Sequence, residues 1–374
     1  MVAYILTMTF LPVVLKITDD NVVRKEVSIE RFLIPISKIT VSNPKKILII
    51  VLALIVFGAY AGTQVKLETD RMKYFLQDLP AIVRFKELER VVGGQNTFVV
   101  VLNFDELNAK TLKEVDDLSR YILEREDLVY DYDSLSSLIK RFADELPERE
   151  LSLIISRIPE LDRFYFGGLL AIYFKTNADT HDKRLKLWDE LKSMFLGWHG
   201  IVTGQTVVMT EIGVEMVKAQ LAMTSVAYTL IVALLFAIHR SITRAVTPLL
   251  AITTVIGIIN IYMVLFGIKQ TMFSIAMNSI TLGLGIDYSI HITERYFEER
   301  MNFPPTEVVR RTIERTGKAI LTSALTTAGG FGAIAFSNFP AIHDFGILAF
   351  ISITFSLLSA LSFVPAFLMM LEGR

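Results

Sequence analysis

Long apolar stretches dominate the hydrophobic pattern of this chain. A helix that crosses a bilayer needs about 20 mostly apolar residues. Five stretches of about that length or more contain no charged residue, namely 47–65, 219–238, 245–268, 319–342 and 345–371. A sixth, 270–293, is apolar except for Asp287 and His291. The pattern predicts an α-helical polytopic membrane bundle with six transmembrane helices.

Lys and Arg residues gather on one side of these predicted helices. Cytoplasmic loops of membrane proteins carry an excess of such residues. The loops on this side contain Lys45, Lys46, Arg240, Arg244, Arg295, Arg300, Arg310, Arg311, Arg315 and Lys318. The opposite short loops, 267–271 and 337–344, contain only Lys269. We therefore expect a multi-pass protein of the plasma membrane, with both termini in the cytoplasm and residues 66–217 outside.

The two ends of the chain share an F-x-P pattern in apolar surroundings, at residues 10–12 and 363–365. One interpretation is a chance similarity between two apolar segments. The other is that residues 1–16 form the end of the last transmembrane helix of a preceding repeat, because some membrane proteins contain internal repeats. The chain would then be the second half of a duplicated protein.

The repeat interpretation divides the rest of the chain into four parts. Residues 17–44 become a cytoplasmic connector, in which Ile29, Phe32, Leu33 and Ile36 recur at helical spacing and predict an amphipathic helix on the membrane surface. The first transmembrane helix follows at 45–65. An outside domain takes up 66–217, and a five-helix transmembrane bundle takes up 218–371.

The outside domain alternates between helical and strand-like patterns. Apolar spacing predicts helices at 80–92, 111–124, 134–145, 148–157 and 182–195. Apolar or β-branched runs predict strands at 97–102, 128–132, 168–174 and 201–203. The order β-α-β, a helical insertion and a second β-α-β is typical of a ferredoxin-like unit. We therefore predict an extracytoplasmic α/β ferredoxin-like domain.

Composition narrows the function classes. The chain is 52% hydrophobic and still 21% charged, so the apolar residues are concentrated in segments. A net charge of −1 argues against nucleic acid as a partner. The absence of cysteine excludes disulfides and thiol chemistry. The sequence contains no constellation of acid, base and nucleophile, so we predict neither an enzyme nor a bound cofactor.

One cluster of metal-binding residue types occurs in the outside domain. Asp179, His181, Asp182 and His199 lie near one another in the sequence. Solvated loop residues account for this cluster better than a metal site, so we predict no metal.

Asp287 is the most informative residue of the sequence. An Asp near the middle of a spanning helix costs about 2.5–3.5 kcal/mol on insertion scales, so such residues face the bundle interior and mark an ion or proton path. Because low dielectric disfavours the charged carboxylate, the group could bind and release protons in turn. The alternative is a protonated Asp that only hydrogen-bonds to a neighbouring helix.

Two residues share the helical face of Asp287. Gly283 lies one turn before it and His291 one turn after it. Gly283 would leave room for a partner helix or water. His291 could pass protons towards Glu294 and Arg295, or it could simply be hydrogen-bonded at the level of the headgroups. Asn278 lies nearly opposite Asp287 on the helix, in line with Thr281 and Gly285, and is left out of the predicted site.

The next predicted helix carries hydroxyl and glycine residues, which are Ser323, Thr326, Thr327, Gly329 and Gly330. Small residues permit close packing of helices in membranes, and hydroxyls can bond across the contact. We therefore expect Gly283, Gly285, Gly329 and Gly330 to mediate helix packing. The hydroxyls could line the path of Asp287, or they could bond only to their own backbone carbonyls.

A family resemblance follows from three of these segments. Residues 283–291 read GLGIDYSIH, residues 294–296 read ERY and residues 323–331 read SALTTAGGF. Val202-Thr203-Gly204 precedes the second predicted helix, and the chain has one span, a large outside domain and five further spans. These segments and this layout resemble the resistance–nodulation–division (RND) superfamily. The similarity covers nearly the whole chain and is closest to the MmpL-like hydrophobe exporters.

The resemblance implies roles for particular residues. Asp287 would be the proton-relay carboxylate and Tyr288 its neighbour in the dyad, with His291, Ser323, Thr326 and Thr327 as supporting groups. The outside domain would be a porter domain for a hydrophobic or lipid-like substrate, and the coupling ion would be H⁺, with Na⁺ as the alternative. Full-length members carry two such halves with their Asp-Tyr pairs facing each other. This chain would therefore be a fragment, or it would pair with a first-half repeat or with a second copy of itself.

Two other functions fit the same outline. A lipid-binding membrane protein with a bundle like a sterol-sensing domain would bind lipid without moving it. An auxiliary subunit of protein export also has six spans and an outside domain. A membrane-embedded Asp287 argues against the first, since a pure sensor needs no titratable group there.

Overall fold

The computed structural model describes residues 9–10, 13–14, 30–92, 96–104, 107–140 and 163–372. Within these residues six helices of 21 residues or more stand out. They are α2 (Pro44–Gln64), α7 (Gln205–His239), α8 (Ile242–Phe266), α9 (Met272–Arg300), α10 (Pro305–Ile334) and α11 (Pro340–Glu372). Four of them, α2, α7, α8 and α11, are long and apolar enough to cross a membrane. The chain is therefore a mostly helical, multi-pass membrane protein.

Local signals set the ends of these helices. Helix α8 stops at Gly267, which adopts φ +66, a conformation that glycine accepts without strain. Helix α9 starts with a capping box in which Thr271 and Ser274 each bond the backbone N–H of the other. Proline, which cannot donate a backbone hydrogen bond, begins α11 at Pro340.

The predicted span at 319–342 is wrong in its last third. Helix α10 ends at Ile334, and α11 begins at Pro340 after a turn. Within the turn the Ser337 hydroxyl accepts a hydrogen bond from the Phe339 N–H at 3.2 Å. Hydropathy overlooked the break because the turn is itself apolar, with Ala335, Phe336 and Phe339 around it.

Helix α11 packs against α8, α9 and α10 and forms the middle of the bundle. Helix α2 lies against α8 at a glycine crossing, where a Cβ added to Gly58 would come within 2.2 Å of the Gly257 Cα. Contact this close requires glycine on both helices. Short helix α1 (Glu30–Ser42) packs on α10 through Leu33, which touches the place where Gly317 lacks a side chain. Ile29, part of the predicted connector helix, and most of residues 1–16 lie outside the described residues.

A sheet of antiparallel pairs forms the domain between α2 and α7. Its strands are β1 (Thr97–Asn103), β2 (Val129–Asp133), β3 (Tyr165–Phe166), β4 (Leu169–Thr176) and β5 (Ile201–Thr203). They lie in the order β2-β4-β1-β5, with β3 pairing to one end of β4. The pairing of Val100 with Ile172 and with Val202 fixes the register. Alternate residues of β1 and β4 are buried, as one-sided packing requires.

Helices cover the buried face of this sheet. They are α4 (Ala109–Arg125) and α6 (His181–Met194), with α3 (Pro80–Val92) and the short α5 (Leu135–Ile139) completing the described α-helices of the domain. Phe98, Phe174 and Leu187 are fully buried in the shared core. The predicted helices at 148–157 and at the end of 134–145 lie outside the described residues.

Candidate functional site

Asp287 lies near the middle of α9. Fifteen positions separate it from Met272 at the start of the helix and thirteen from Arg300 at its end. At about 1.5 Å per residue, the carboxylate is roughly 20 Å from each end. The first charged residues after it, Glu294 and Arg295, lie seven and eight positions on, or about 10–12 Å along the helix axis.

Tyr288 points in a different direction from Asp287, because successive residues on a helix are about 100° apart. Its side chain is 7% exposed. The phenol interacts with the hydroxyls of Ser323 and Thr327 on α10. Tyr288 therefore fastens α9 to α10 and leaves its neighbour Asp287 outside that contact.

Asp287 is exposed on the surface of the chain, together with Gly283 and His291. A Cβ added to Gly283 would meet nothing within 4 Å. The prediction that Asp287 faces the interior of the bundle does not hold for the described helices of this chain. Burial of the flanking residues Ile286 and Tyr288 turns α9 so that the face of Asp287 points away from the bundle.

Helix α10 continues this exposed surface. Ser323, Thr326 and Gly330 are exposed and recur at the spacing of one helical face. Gly329 and Gly330 have no atom within 4 Å of an added Cβ. We call the surface formed by Gly283, Asp287, His291, Ser323, Thr326, Gly329 and Gly330 the open face.

The glycines predicted to mediate helix packing thus divide into two groups. Gly285 packs tightly, since an added Cβ would lie 2.4 Å from both Ile252 Cδ1 and Ser356 Oγ. Gly283, Gly329 and Gly330 pack against nothing in the described part of the chain. Their smallness can serve close packing only where something outside the described residues approaches them.

The hydroxyls of α10 bond largely to their own helix. Thr326 donates to the Ser323 carbonyl at 2.8 Å, and Thr327 donates to the same carbonyl at 2.9 Å. Self-satisfied hydroxyls of this kind are common in membrane helices. Thr326 therefore fits the interpretation that these hydroxyls bond only to their own backbone carbonyls. Ser323 and Thr327, in contrast, also contact Tyr288.

A chain of titratable groups lies between Asp287 and the C-terminal end of α9. The His291 Nδ1 lies 3.9 Å from Glu294 Oε2, and the His239 Nε2 at the end of α7 lies 3.7 Å from Glu294 Oε1. Arg295, predicted to end the relay, instead pairs with Glu298 at 3.0 Å and with Glu299. His239 escaped the sequence analysis because only the fold brings the end of α7 next to α9.

A second feature is a cavity of about 570 Å³ at the opposite end of the bundle, between α2, α7, α8 and α9. No ionisable side chain is among the described residues that line it. Apolar residues such as Val217 and Met263 form much of its wall, and the polar lining includes Thr63, Gln220, Asn260, Gln270, Ser274 and Asn278. Asn278, left out of the predicted site, thus belongs to this separate outer cavity.

Two of the residues considered as a possible metal cluster, His181 and Asp179, make different contacts. His181 is 8% exposed and begins α6, so it is not the solvated loop residue that we expected. A Cβ added to Gly213 would lie 2.9 Å from its Cε1, which shows how closely α7 covers it. Asp179 pairs with Lys183 at 2.7 Å.

One family model and one archaeal protein match long parts of this chain. Residues 197–374 match the model of the MMPL family. A protein of Methanocaldococcus jannaschii described as a membrane protein is 25% identical over 362 residues, which cover 89% of this chain and 92% of that protein.

Two transport proteins match more locally. The heme uptake protein MmpL11 of Mycobacterium tuberculosis is 28% identical over 264 residues, or 65% of this chain and 26% of that protein. The apo-petrobactin exporter of Bacillus anthracis is 26% identical over 182 residues, or 46% of this chain and 24% of that protein. The match thus spans about a quarter of the length of each of these transport proteins, but nearly all of the archaeal protein.

Proposed function

Because residues 197–374 of this chain match the model of the MMPL family, we propose that the chain is one half of a proton-driven transporter of lipids or other hydrophobic molecules. The observation that carries the proposal is the position of Asp287, midway along α9 on the open face. Asp287 would bind and release the coupling proton. Tyr288, braced by Ser323 and Thr327, would hold the local geometry of the relay.

The open face itself argues for a partner. An Asp that faces lipid at the bilayer centre costs about 2.5–3.5 kcal/mol on insertion scales, and the glycines beside it offer lipid little surface to contact. Small residues are what permit two membrane helices to approach closely. The open face is therefore suited to a first-half chain or to a second copy of this chain, whose own relay residues would lie opposite Asp287.

The proposed topology has six spans. Helices α9 and α10 are long enough to cross the bilayer, and their open face explains why they are less apolar than α2, α7, α8 and α11. The Lys and Arg residues of the connecting loops favour a plasma-membrane protein with cytoplasmic termini and an outside domain. The strand order β2-β4-β1-β5 with antiparallel neighbours supports a ferredoxin-like porter domain.

The outer cavity supports a hydrophobic or amphiphilic substrate. Its apolar wall suits a hydrocarbon chain, and its amides and hydroxyls can orient a polar group. The amide of Gln270 donates to Gln220 at 2.6 Å across the cavity. A substrate could enter there from the outer leaflet and pass to the outside domain.

Transport in reconstituted vesicles tests the proposal. The vesicles would contain pyranine as an internal pH indicator and a fluorescent NBD-labelled phosphatidylethanolamine or diacylglycerol as the substrate probe. We expect an imposed proton gradient to drive movement of at least one probe together with proton flux. Asp287→Asn would abolish both movements, whereas Asp117→Asn on the exposed side of α4 would leave them unchanged.

Three outcomes discriminate between the functions. Movement of the probe driven by a sodium gradient would show that the coupling ion is Na⁺ and not H⁺. Probe binding without gradient-driven movement would favour the lipid-binding alternative. Undiminished transport by Asp287→Asn would remove this residue from the mechanism and refute the proposal.

A further inference from the structure

The segment between α2 and α3 is tied to the start of α9 by backbone hydrogen bonds. The Gln270 N–H donates to the Lys66 carbonyl at 2.8 Å, and the Glu68 N–H donates to the Gln270 carbonyl at 2.9 Å. These two bonds form a parallel bridge between Leu67 and Gln270. A two-residue bridge between distant loops is weak by itself, so side chains must hold it.

Glu68 supplies that support. Its side chain is only 7% exposed, and its carboxylate accepts hydrogen bonds from Lys269 Nζ at 2.8 Å and from Lys73 Nζ at 3.2 Å. The Asp70 N–H adds a third bond at 3.1 Å. Desolvation opposes ionisation of Glu68, but the two lysines and the N–H outweigh it and hold the pKa of the carboxyl below its ordinary value. We call Leu67, Glu68, Lys73, Lys269 and Gln270 the clasp.

The clasp also binds the outside domain. The Lys73 ammonium donates to the Asp179 carbonyl at 3.3 Å, just before α6 begins. Arg184 of α6, 5% exposed, donates to the Thr69 hydroxyl at 3.2 Å. Movement of the segment between α2 and α3 would therefore displace the start of α6.

On its other side the clasp meets the helix that carries Asp287. Lys269 and Gln270 directly precede the capping box of α9, and the Tyr74 ring packs edge-on against Phe273 at 6.0 Å. Tyr74 also donates to the Glu68 carbonyl at 2.9 Å. Because an α-helix transmits a shift along its axis, movement of α9 at Asp287 would pull or push the clasp.

We propose that Glu68 is a coupling residue, which transmits the shift of α9 between the protonated and deprotonated states of Asp287 to the outside domain. This inference rests on the proposed function, since it needs a proton cycle at Asp287. Glu68 acts by position, as the shared acceptor that joins a lysine of the α8–α9 loop to a lysine of the domain linker. Its carboxylate bonds no residue of the proton site, and its backbone N–H bonds Gln270, whose side chain lines the outer cavity.

Asp116 provides the matched control. It is likewise a buried carboxylate, 1% exposed, with Lys140 at 2.6 Å and further bonds from Tyr132 and Ser136. All of these partners lie within the outside domain. Removing its charge disturbs the domain without touching the connection to α9.

The test measures the distance between the two sides of the membrane at two pH values. Because the chain has no native cysteine, spin labels can be attached to Lys110→Cys in the domain and to Met301→Cys after α9, two exposed sites. The full chain is placed in lipid nanodiscs, and pulsed electron resonance records the distance at about pH 5 and about pH 8, between which buried carboxylates can titrate. Circular dichroism confirms that each variant is folded.

We expect a pH-dependent shift between two distances in the wild type and none in Asp287→Asn. Glu68→Gln and Lys269→Met should each change the equilibrium between the two distances by roughly threefold or more, towards loss of the pH response. Asp116→Asn should respond as the wild type does. Lys269→Met, whose side chain is 39% exposed, keeps the test valid if Glu68→Gln does not fold.

The outcomes separate the coupling role from the proposed function. A wild-type response in both Glu68→Gln and Lys269→Met, with no response in Asp287→Asn, would refute the coupling role alone. An equal loss in Asp116→Asn would also refute it, because the effect would then be one of domain stability. A wild type without any shift, or a normal shift in Asp287→Asn, contradicts both proposals.

Discussion

Two glycines two residues apart on α9 should respond differently to the same substitution. Valine at Gly285 places its Cβ 2.4 Å from atoms of Ile252 and Ser356, closer than any unstrained contact. Overpacking of this kind costs about 1–3 kcal/mol, and two simultaneous clashes favour the upper end. Valine at Gly283 meets nothing within 4 Å and should change stability by no more than about 0.5 kcal/mol.

The comparison isolates packing, because the intrinsic helix propensity changes equally at both positions. Thermal unfolding of single chains in detergent would measure the difference. Association in lipid, followed by energy transfer between labelled chains, would then measure the second effect. We expect Gly283→Val to weaken association by closing the gap on the open face, although it leaves the monomer intact.

Equal destabilisation by Gly283→Val and Gly285→Val in the monomer would refute this reasoning. It would mean that Gly283 is packed within the chain and that the open face does not exist as described. If both variants have the expected stabilities but Gly283→Val associates in lipid as the wild type does, the partner contact lies elsewhere on the chain.

Four further predictions concern the domain between α2 and α7, the outer cavity and Tyr288. Desolvation lowers the pKa of His181 below its ordinary 6.5, so the unfolded chain binds more protons at this residue than the folded chain does. The free energy of unfolding therefore falls as pH drops below about 6.5. His181→Gln should flatten that part of the plot of stability against pH. The lowered pKa of Glu68 contributes stability that is present above its ordinary 4.5 and is lost as pH falls further, so Glu68→Gln should remove a second, more acidic step. In the outer cavity, Gly62→Val should displace Asn260, whose Nδ2 lies 2.8 Å from an added Cβ, and should reduce cross-linking of a photoreactive diacylglycerol. Tyr288→Phe should cost about 0.5–1.5 kcal/mol in detergent unfolding through its lost hydroxyl contacts; an unchanged midpoint would contradict this bracing role.

Much of the outside domain could be predicted because its signals are local. Helix Pro80–Val92 and strand Ile201–Thr203 have the predicted bounds. A proline start and an apolar period decide the helix, and a β-branched run decides the strand. The family resemblance, drawn from the residues around Asp287, is confirmed by the match over residues 197–374.

The remaining errors have physical causes. The break at 335–339 was missed because hydropathy does not detect an apolar turn, although Pro340 marked it. The direction of Asp287 depends on which neighbours α9 finds, and no periodicity within α9 distinguishes a face that meets its own bundle from one that meets a partner. The contacts of Glu68 with Lys269 and of His239 with Glu294 join distant parts of the chain, so only the fold reveals them.

The central claim, that Asp287 takes up and releases a proton inside the membrane, can be measured directly. Infrared difference spectra of the chain in lipid, recorded while the pH is changed, report the carbonyl stretch of a protonated carboxylic acid. We predict a band that titrates reversibly in the wild type and is missing from Asp287→Asn but present in Asp117→Asn. Identical spectra for the wild type and Asp287→Asn would show that this carboxyl group keeps one protonation state and would contradict the account.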